Sequence, residues 1–213
     1  MFFRLGLLVG ILLLVCGTVL AEGDSVYRPE LHLSAQLTEI LKWTASVEPK
    51  ISDDVQNASE IALVTGLCWK PASYLAISPE FKYISKGGTA DSNESRPRLS
   101  LELSGPVGEC KVALRNRFEY RMKESQDEYW RYRSRLKVSF PKIRTATPFI
   151  YEEIFYEFGD MDEYDANEAG LGLSIPLADK LTLEMDLRSC HTKSDGDWQE
   201  GDIHFLMKFK YSF

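Results

Sequence analysis

Polar and apolar residues alternate with a period of two along most of this chain. Over residues 111–123 the odd-numbered positions are mostly charged. The even-numbered positions are mostly apolar, at Val112, Leu114, Phe118, Tyr120 and Met122. Successive side chains of a β-strand point to opposite faces of a sheet, whereas a helix would mix the two sets on every face. The alternation therefore predicts strands, and its recurrence along the chain predicts an all-β protein.

Ten segments carry this alternation and are the predicted strands. They are residues 40–49, 57–70, 73–86, 95–105, 109–123, 128–140, 148–158, 166–176, 180–191 and 201–213. Residues 22–39 fit either a lead-in or an extension of the first strand. We therefore expect one all-β domain over residues 40–213, preceded by an N-terminal lead-in over residues 22–39.

Residues 1–21 have the order of a secretory signal peptide. Arg4 precedes an apolar run over residues 5–20, and Val19, Leu20 and Ala21 supply a small-x-Ala cleavage pattern. A membrane anchor is the alternative, but the run is shorter than the ~20 residues of a spanning helix. Removal of residues 1–21 loses Arg4 and no acidic residue, so the mature chain is more acidic than the full chain, whose net charge is −7. This charge disfavours nucleic acid as a partner.

The connections between the predicted strands alternate in length and in acidic content. The odd connections are long or acidic and contain Asp53, Asp54, Asp91, Glu94, Glu124, Asp127, Glu128, Asp160, Asp162, Glu163, Asp165, Asp195, Asp197, Glu200 and Asp202. The even connections are tight or carry little acid. Outer-membrane barrels have short periplasmic turns and longer external loops. The pattern predicts an antiparallel up-and-down transmembrane β-barrel of about ten strands, with both termini at the periplasmic end and the acidic connections outside.

The charged face of two consecutive predicted strands is rich in arginine. If it met lipid, each basic residue near mid-bilayer would cost ~2–4 kcal/mol, so in a membrane this face points inward. The predicted interior charge network is Arg115, Arg117, Glu119, Arg121, Arg131, Arg133, Arg135, Glu153, Glu184, Arg188 and His204. Glu152 falls on the apolar side, which implies a local bulge or a site near the rim. The network is interpreted either as packing of a narrow barrel or as a charged pore.

The last predicted strand places apolar residues at alternate positions up to the terminal residue. Phe205, Met207, Phe209, Tyr211 and Phe213 resemble the C-terminal signal that the barrel-assembly machinery recognises. Aromatic residues at strand ends fit the interfacial girdles of a barrel. We expect a monomer in the bacterial outer membrane, with its lipids and lipopolysaccharide as partners. The alternative is a soluble, lipocalin-like periplasmic barrel that binds an apolar ligand.

These residues resemble one family. The run over residues 115–121, the ladder of Arg131, Arg133 and Arg135, and then Glu152 and Glu153 are similar to segments of domain-of-unknown-function family 2490. Asn167 with Gly170 and Gly172 and the terminal aromatic strand also fit. The resemblance covers residues 40–213 and implies a bacterial outer-membrane barrel, with no activity attached. One departure is Glu168, where a basic residue is expected after Asn167, and it leaves the pairing at this strand open.

No catalytic, metal or cofactor motif is recognisable. His191 lies near Ser189 and Asp195, but the chain lacks a Gly-x-Ser-x-Gly nucleophile elbow. The acidic run over residues 195–202 matches no EF-hand spacing. Cys68, Cys110 and Cys190 are an odd set that makes no closed disulfide framework. We therefore predict no enzyme, cofactor or metal, and a structural or small-solute channel role. An outer-membrane lipid-modifying enzyme is the less favoured alternative.

Overall fold

The computed structural model describes residues 25–51, 58–86, 93–124, 127–158, 163–194, 197–199 and 202–213. These residues form twelve β-strands. The strands are β1 (Ser25–Gln36), β2 (Leu41–Ile51), β3 (Ala58–Ala72), β4 (Leu75–Lys86), β5 (Glu94–Val107), β6 (Cys110–Lys123), β7 (Tyr129–Ser139), β8 (Thr147–Phe158), β9 (Glu163–Ala178), β10 (Leu181–Ser194), β11 (Asp197–Gln199) and β12 (Ile203–Ser212). Within the described ranges, no helix has the length and apolar character needed to cross a membrane.

The strands form one closed sheet. Strands β1 to β10 pair in chain order, β10 pairs with β12, and β12 pairs with β1. The short β11 pairs with residues 192–194 at the end of β10, and β12 pairs with residues 181–189 of that strand. Because β11 and β12 follow one another along the same partner, they share one position, and the barrel has eleven strands. The predicted all-β barrel is confirmed.

The ring closes through a parallel pair. β1 and β12 run in the same direction, in register from Ser25 with Ile203 to Ser34 with Ser212. All other pairings between the described strands are antiparallel. A ring with an odd number of strands cannot alternate direction all the way round, so one parallel pair is required.

The strand β1 explains why the barrel has eleven strands and not ten. It lies within residues 22–39, which we assigned to a lead-in, so the barrel begins at Ser25 and not at residue 40. The extra strand also changes the predicted orientation, in which both termini lie at the end with the tight turns. Ser212 lies at that end, but Ser25 lies at the end with the acidic connections. The predicted signal peptide, residues 1–21, is outside the described residues.

Apolar side chains cover the outside of the barrel, and charged side chains fill the inside. Large apolar residues exposed on the outer face include Leu63, Leu99, Leu103, Leu136, Ile150, Leu171 and Leu187. Buried charged residues on the inner face include Glu94, Arg98, Glu119, Glu153, Asp186 and Arg188. This polarity is the reverse of a lipocalin-type barrel, so the structure contradicts that alternative. It is the polarity of a barrel whose outer face meets lipid.

Outward aromatic residues lie near both ends of the barrel. Trp43, Trp69 and Tyr211 belong to strand ends at the tight turns. Tyr83, Trp130, Tyr156 and Phe158 belong to strand ends at the acidic connections. Two such bands fit the aromatic girdles that flank the apolar belt of membrane barrels.

Two glycines on β9 make room for aromatic rings on β8. Gly170 lies opposite Tyr151, and Gly172 lies opposite Phe149. A Cβ at Gly170 would lie 2.4 Å from Cζ of Tyr151, and one at Gly172 would lie 2.5 Å from Cζ of Phe149. The absence of these Cβ atoms therefore lets both rings lie flat against the inner face of β9.

Candidate functional site

Arginine side chains from β5, β6 and β7 line one side of the lumen, and we call them the arginine wall. Its members are Arg98, Arg115, Arg117, Arg131, Arg133 and Arg135. The strand register places Arg115 opposite Arg135 and Arg117 opposite Arg133. Like charges directly opposite one another destabilise a sheet. The wall therefore requires carboxylates close to the guanidinium groups.

Glu153 on β8 supplies the first of these carboxylates. Its Oε1 accepts a hydrogen bond from Nη2 of Arg115 at 3.0 Å, and its Oε2 accepts one from Nη2 of Arg133 at 2.7 Å. Nε of Arg135 donates to the same Oε2 at 3.0 Å. Glu153 is 0% exposed. One buried carboxylate therefore offsets part of the positive charge of three guanidinium groups.

Glu119 on β6 occupies the equivalent position between other members of the wall. Its Oε2 accepts hydrogen bonds from Nη2 and Nε of Arg131 at 2.7 and 3.1 Å. Its Oε1 lies 3.5 Å from Nη1 of Arg133 and 3.8 Å from Nη1 of Arg117. Glu119 is also 0% exposed. Arg133 contacts both buried carboxylates and so links the two clusters.

Inward aromatic rings of β8 support the wall from behind. The guanidinium carbon of Arg133 lies 4.3 Å from the ring centroid of Phe155, and that of Arg135 lies 4.5 Å from the centroid of Tyr151. Nζ of Lys137 lies 3.6 Å from the centroid of Phe149. Cation–π contacts of this kind fix the plane of a guanidinium group. The hydroxyl of Tyr151 donates to Oδ1 of Asp186 at 2.8 Å, which orients that ring.

The opposite side of the lumen carries lysines in separate pairs, and we call it the lysine wall. It is formed by Lys82 with Glu48, Lys208 with Glu30, and Lys210 with Glu184. Nζ of Lys82 donates to Oε2 of Glu48 at 2.6 Å, and the hydroxyl of Ser46 donates to Oε1 at 2.9 Å. Each carboxylate here meets one or two ammonium groups. Within the described residues, no carboxylate of the lysine wall pairs with three basic side chains as Glu153 does.

A third cluster lies at the end with the acidic connections. Glu94 accepts hydrogen bonds from Nε and Nη2 of Arg96 at 2.7 and 2.6 Å, and Nη2 of Arg121 donates to it at 3.1 Å. Glu157 lies 3.4 Å from Nη1 of Arg121. We expected Glu94 in an external connection, but it is the first residue of β5 and is buried inside the barrel. Its two arginine partners account for this position.

A cavity of about 320 Å³ separates the two walls. Its lining includes ten basic side chains and only four acidic ones. The acidic residues are Glu30, Glu48, Glu60 and Glu80. Glu119 and Glu153 are fully buried and do not line the cavity, whereas five members of the arginine wall do. The surface of the cavity is therefore cationic although the wall as a whole is paired.

Several guanidinium groups around the cavity keep a buried donor without a partner. Nε of Arg28, Arg98, Arg115 and Arg133 makes no hydrogen bond within the described part of the chain. All four residues line the cavity. A buried donor without a partner costs about 1–3 kcal/mol. Solvent or an anion in the cavity would relieve that cost.

A family model described as "Protein of unknown function (DUF2490)" matches residues 29–200. The chain belongs to the DUF2490 family. It is also 25% identical over 194 residues to an uncharacterized protein of Methylorubrum extorquens, and this alignment covers 84% of the chain and 85% of that protein. The expectation from residues 115–121 and the arginine ladder is therefore confirmed.

The fold of this DUF2490 protein is similar to that of two solved porins. It matches the KdgM porin with a TM-score of 0.53 and 17% identity, over 88% of this chain and 98% of that chain. It matches the NanC porin with a TM-score of 0.58 and 11% identity, over 88% of this chain and 97% of that chain. At these identities the similarity establishes a porin-like barrel fold.

Most residues of the predicted interior network meet in the lumen of this DUF2490 protein. Ion pairs join Arg115, Arg117, Glu119, Arg121, Arg131, Arg133, Arg135 and Glu153 to one another or to Glu80, Glu94 and Glu157. Glu184 belongs to the lysine wall, and Nη1 of Arg188 pairs with Glu168 at 2.8 Å. That pair gives Glu168, the residue that departs from the family pattern, a basic partner on the neighbouring strand.

His204 is buried in the lumen but lies apart from the arginine–glutamate network. Its Nδ1 lies 3.1 Å from Sγ of Cys190, and its Nε2 lies 3.8 Å from a carboxylate oxygen of Asp202. We predicted it as a network member because it shares the inward parity of β12. Its alternate position places it on the correct face, opposite Arg188, but β12 lies on a different side of the ring from β5, β6 and β7, which carry the arginine wall.

Of the lysine wall, the sequence predicted only Glu184 as an interior charge. Glu30 and His32 lie in β1, which was not predicted as a strand, and Glu48 and Lys82 belong to weakly patterned segments. Their inward parity would have identified them once β1 was recognised.

The side chains of the predicted assembly signal lie on the outward face of β12. Phe205, Met207, Phe209 and Tyr211 pair with outward residues of β1, and Phe213 follows the strand with its side chain exposed. The ring of Phe205 stacks on Tyr27 with centroids 5.8 Å apart. Their part in assembly stays a prediction.

Glu152 faces outward near the middle of β8. Nδ2 of Asn167 donates to its Oε1 at 3.0 Å. We expected a bulge or a rim position, and β8 does have a register shift at residues 155 and 156. Glu152 itself precedes that shift and keeps regular pairing with Leu136 and Ala169. It is an ionisable side chain within the apolar belt.

No cluster of three His, Cys, Asp or Glu residues suited to a metal occurs in the described ranges. Cys68, Cys110 and Cys190 are free thiols.

Proposed function

We propose that this DUF2490 protein is an outer-membrane channel for small anionic solutes. The observation that carries the proposal is the lining of the cavity, in which basic side chains outnumber acidic ones by ten to four. Rings of charged side chains set the selectivity of membrane pores, and arginine and lysine favour anions. The buried carboxylates fix the guanidinium groups without cancelling their charge at the cavity surface. The porin-like fold supports the same role.

Single-channel recording in planar bilayers tests this proposal. We expect the purified full-length barrel to conduct, and its reversal potential in a KCl gradient to show preference for chloride. Arg28→Gln removes a cavity charge that makes no ion pair in the described part of the chain. This variant should lower the anion preference and keep the fold. Lys180→Gln is the matched control, because Lys180 lies in the turn between β9 and β10, outside the cavity.

A structural barrel is the second candidate, and one observation favours it. Ion-paired side chains from both walls project into a narrow lumen, so they also act as packing. A correctly folded barrel without conductance would support this candidate and overturn the channel. Cation preference would overturn the assignment to anions.

We also propose the outer membrane as its location, with export through the signal peptide of residues 1–21 and assembly through the aromatic residues of β12. The barrel would be a monomer in contact with membrane lipid and lipopolysaccharide. The apolar outer face and the two aromatic bands support this location. Membrane fractionation with heat-modifiable gel mobility tests it, and extraction in buffer without detergent would contradict it.

A further inference from the structure

Four polar side chains on the outer face of β8, β9 and β10 form two hydrogen-bonded pairs that the strand register places side by side. The hydroxyl of Ser189 and Nε2 of His191 are 2.9 Å apart. His191 lies directly opposite Asn167 in the register of β9 and β10. Asn167 in turn donates from Nδ2 to Oε1 of Glu152 at 3.0 Å. A serine, an imidazole, an amide and a carboxylate therefore follow one another across three strands.

This group lies among apolar side chains that face outward. Leu187 and Leu171 are opposite one another on β10 and β9, and Ile203 is opposite Ser189 on β12. They are 48%, 62% and 53% exposed, respectively. Any molecule that reaches Ser189 from outside the barrel therefore approaches across an apolar surface. Polar and ionisable residues in such a belt are costly and mark functional positions.

We propose that Ser189 and His191 form a hydrolase site on the outer wall, which cleaves acyl esters of membrane lipids. A nucleophilic serine needs a base within hydrogen-bond reach and a third group that orients the base. Ser189 and His191 meet the first requirement by distance. Asn167 is placed to meet the second, because it lies directly opposite His191 and side chains in such positions have Cβ atoms about 4.5–5.5 Å apart.

The reaction uses water and the ester as its only reactants. The Nε2 atom of His191 takes the hydroxyl proton while Oγ of Ser189 forms a bond to the ester carbonyl carbon. The carbon–oxygen bond to the lipid alcohol then breaks, and His191 returns the proton to the departing alcohol. Water attacks the acyl-serine with His191 again taking the proton, and the products are a free fatty acid and regenerated Ser189.

Asn167 and Glu152 act as positioning residues. For Nε2 to accept the serine proton, the neutral ring carries its own proton on Nδ1. Asn167 lies directly opposite His191, so its Oδ1 atom would accept this Nδ1–H while its Nδ2 atom donates to Glu152. Glu152 thus fixes which end of the amide faces the ring. This role also gives a reason for a carboxylate in the apolar belt.

A second outward polar cluster provides a contrast. Asn116 accepts hydrogen bonds from the hydroxyls of Tyr132 at 2.6 Å and Ser134 at 3.0 Å. This cluster contains a serine but no imidazole. Ser134 is therefore a matched control for Ser189, because both are outward serines in hydrogen bonds on neighbouring parts of the belt.

The test measures free fatty acid released by the full-length, folded barrel in mixed micelles. One arm contains phosphatidylethanolamine and the other purified lipopolysaccharide, so the two sources of acyl ester are distinguished. We expect release in at least one arm, and a fall of ~10²-fold or more in Ser189→Ala and His191→Ala, the usual contribution of a positioned base. Ser134→Ala should behave as wild type. Equal release by wild type and Ser189→Ala, or none by wild type in either arm, would overturn the proposal.

A fluorophosphonate probe and kinetics of the positioning residues complete the test. The probe should label wild type and Ser134→Ala but not Ser189→Ala. Asn167→Ala should lower kcat with KM unchanged, and Glu152→Gln, which keeps an acceptor oxygen for Nδ2, should retain most activity. Labelling that persists in Ser189→Ala would place the reactive serine elsewhere. Heat-modifiable mobility of every variant confirms that each has folded, and the outcome is independent of whether the lumen conducts.

Discussion

The two walls of the lumen hold their charges in different ways. In the arginine wall, Glu119 and Glu153 are each fully buried and each contact three guanidinium groups. In the lysine wall, each carboxylate meets one or two ammonium groups and borders the cavity or the barrel ends. The planar, five-donor guanidinium group can bridge two carboxylates at once, which a compact ammonium group does less well. The arginine wall is therefore a connected network, and the lysine wall is a set of local pairs.

The difference predicts unequal costs when a carboxylate is removed. Breaking a buried pair by removing one partner costs about 3–5 kcal/mol, because the remaining charge is uncompensated. A pair with access to water costs about 0–1 kcal/mol. Three variants use this difference.

Glu153→Gln should have the largest effect. It leaves the guanidinium groups of Arg115, Arg133 and Arg135 around a neutral amide, and we expect a loss of about 3–5 kcal/mol in the free energy of unfolding. Denaturant titration of the barrel in lipid vesicles measures it. Glu157→Gln is the control, since Glu157 is 29% exposed and its contacts with Arg121 and Arg131 are 3.4 and 3.9 Å long.

Gly170→Ala should have an intermediate effect, because it acts on the support of the arginine wall and not on its charges. The added methyl group would lie 2.4 Å from Cζ of Tyr151 and displace the ring on which Arg135 stacks. Overpacking of this kind costs about 1–3 kcal/mol. Gly105→Ala is the control, since nothing lies within 4 Å of a Cβ at that position. Equal stability of the two variants in denaturant titration would show that the ring does not support the wall.

Glu48→Gln should have the smallest effect, below the ~3–5 kcal/mol of a fully buried pair, because Glu48 is 28% exposed and pairs with one ammonium group. Its partner Lys82 borders the cavity and can be hydrated there after the pair is lost. The same titration measures this change. A loss as large as that of Glu153→Gln would mean that the two walls are equally connected, and the contrast between them would fail.

Period-two alternation predicted ten of the eleven strands and the inward parity of the arginines. It did not reveal β1, where Pro29 lacks a backbone donor and interrupts the ladder with β2. These strands pair at Tyr27 and again from Leu31 to Gln36. Because β1 was absent from the prediction, the strand number, the place of Ser25 and the lysine wall around Glu30 were not foreseen.

The ion-pair partners of each charged residue could not be predicted from the sequence either. Alternation states which face a side chain occupies, whereas the partner depends on strand register and stagger. Arg133 reaches both Glu119 and Glu153 because the register places Glu119 opposite Arg131 and Glu153 opposite Arg135, one diagonal step to either side of Arg133. The sequence places Ser189 two positions from His191. The position of Asn167 and Glu152 beside this pair depends on the register of β8, β9 and β10.

The parallel seam between β1 and β12 has a consequence for how the chain folds. The other pairings of the ring join strands that follow one another closely, so each can form by local zipping of a hairpin. The seam instead joins residues far apart in the chain, as in the contact of Ser34 with Ser212, which are separated by 178 positions. The entropic cost of closing so long a loop therefore arises in this single step. We expect the curved sheet from β1 to β12 to assemble first, and pairing of β1 with β12 to be the slow, final event of folding.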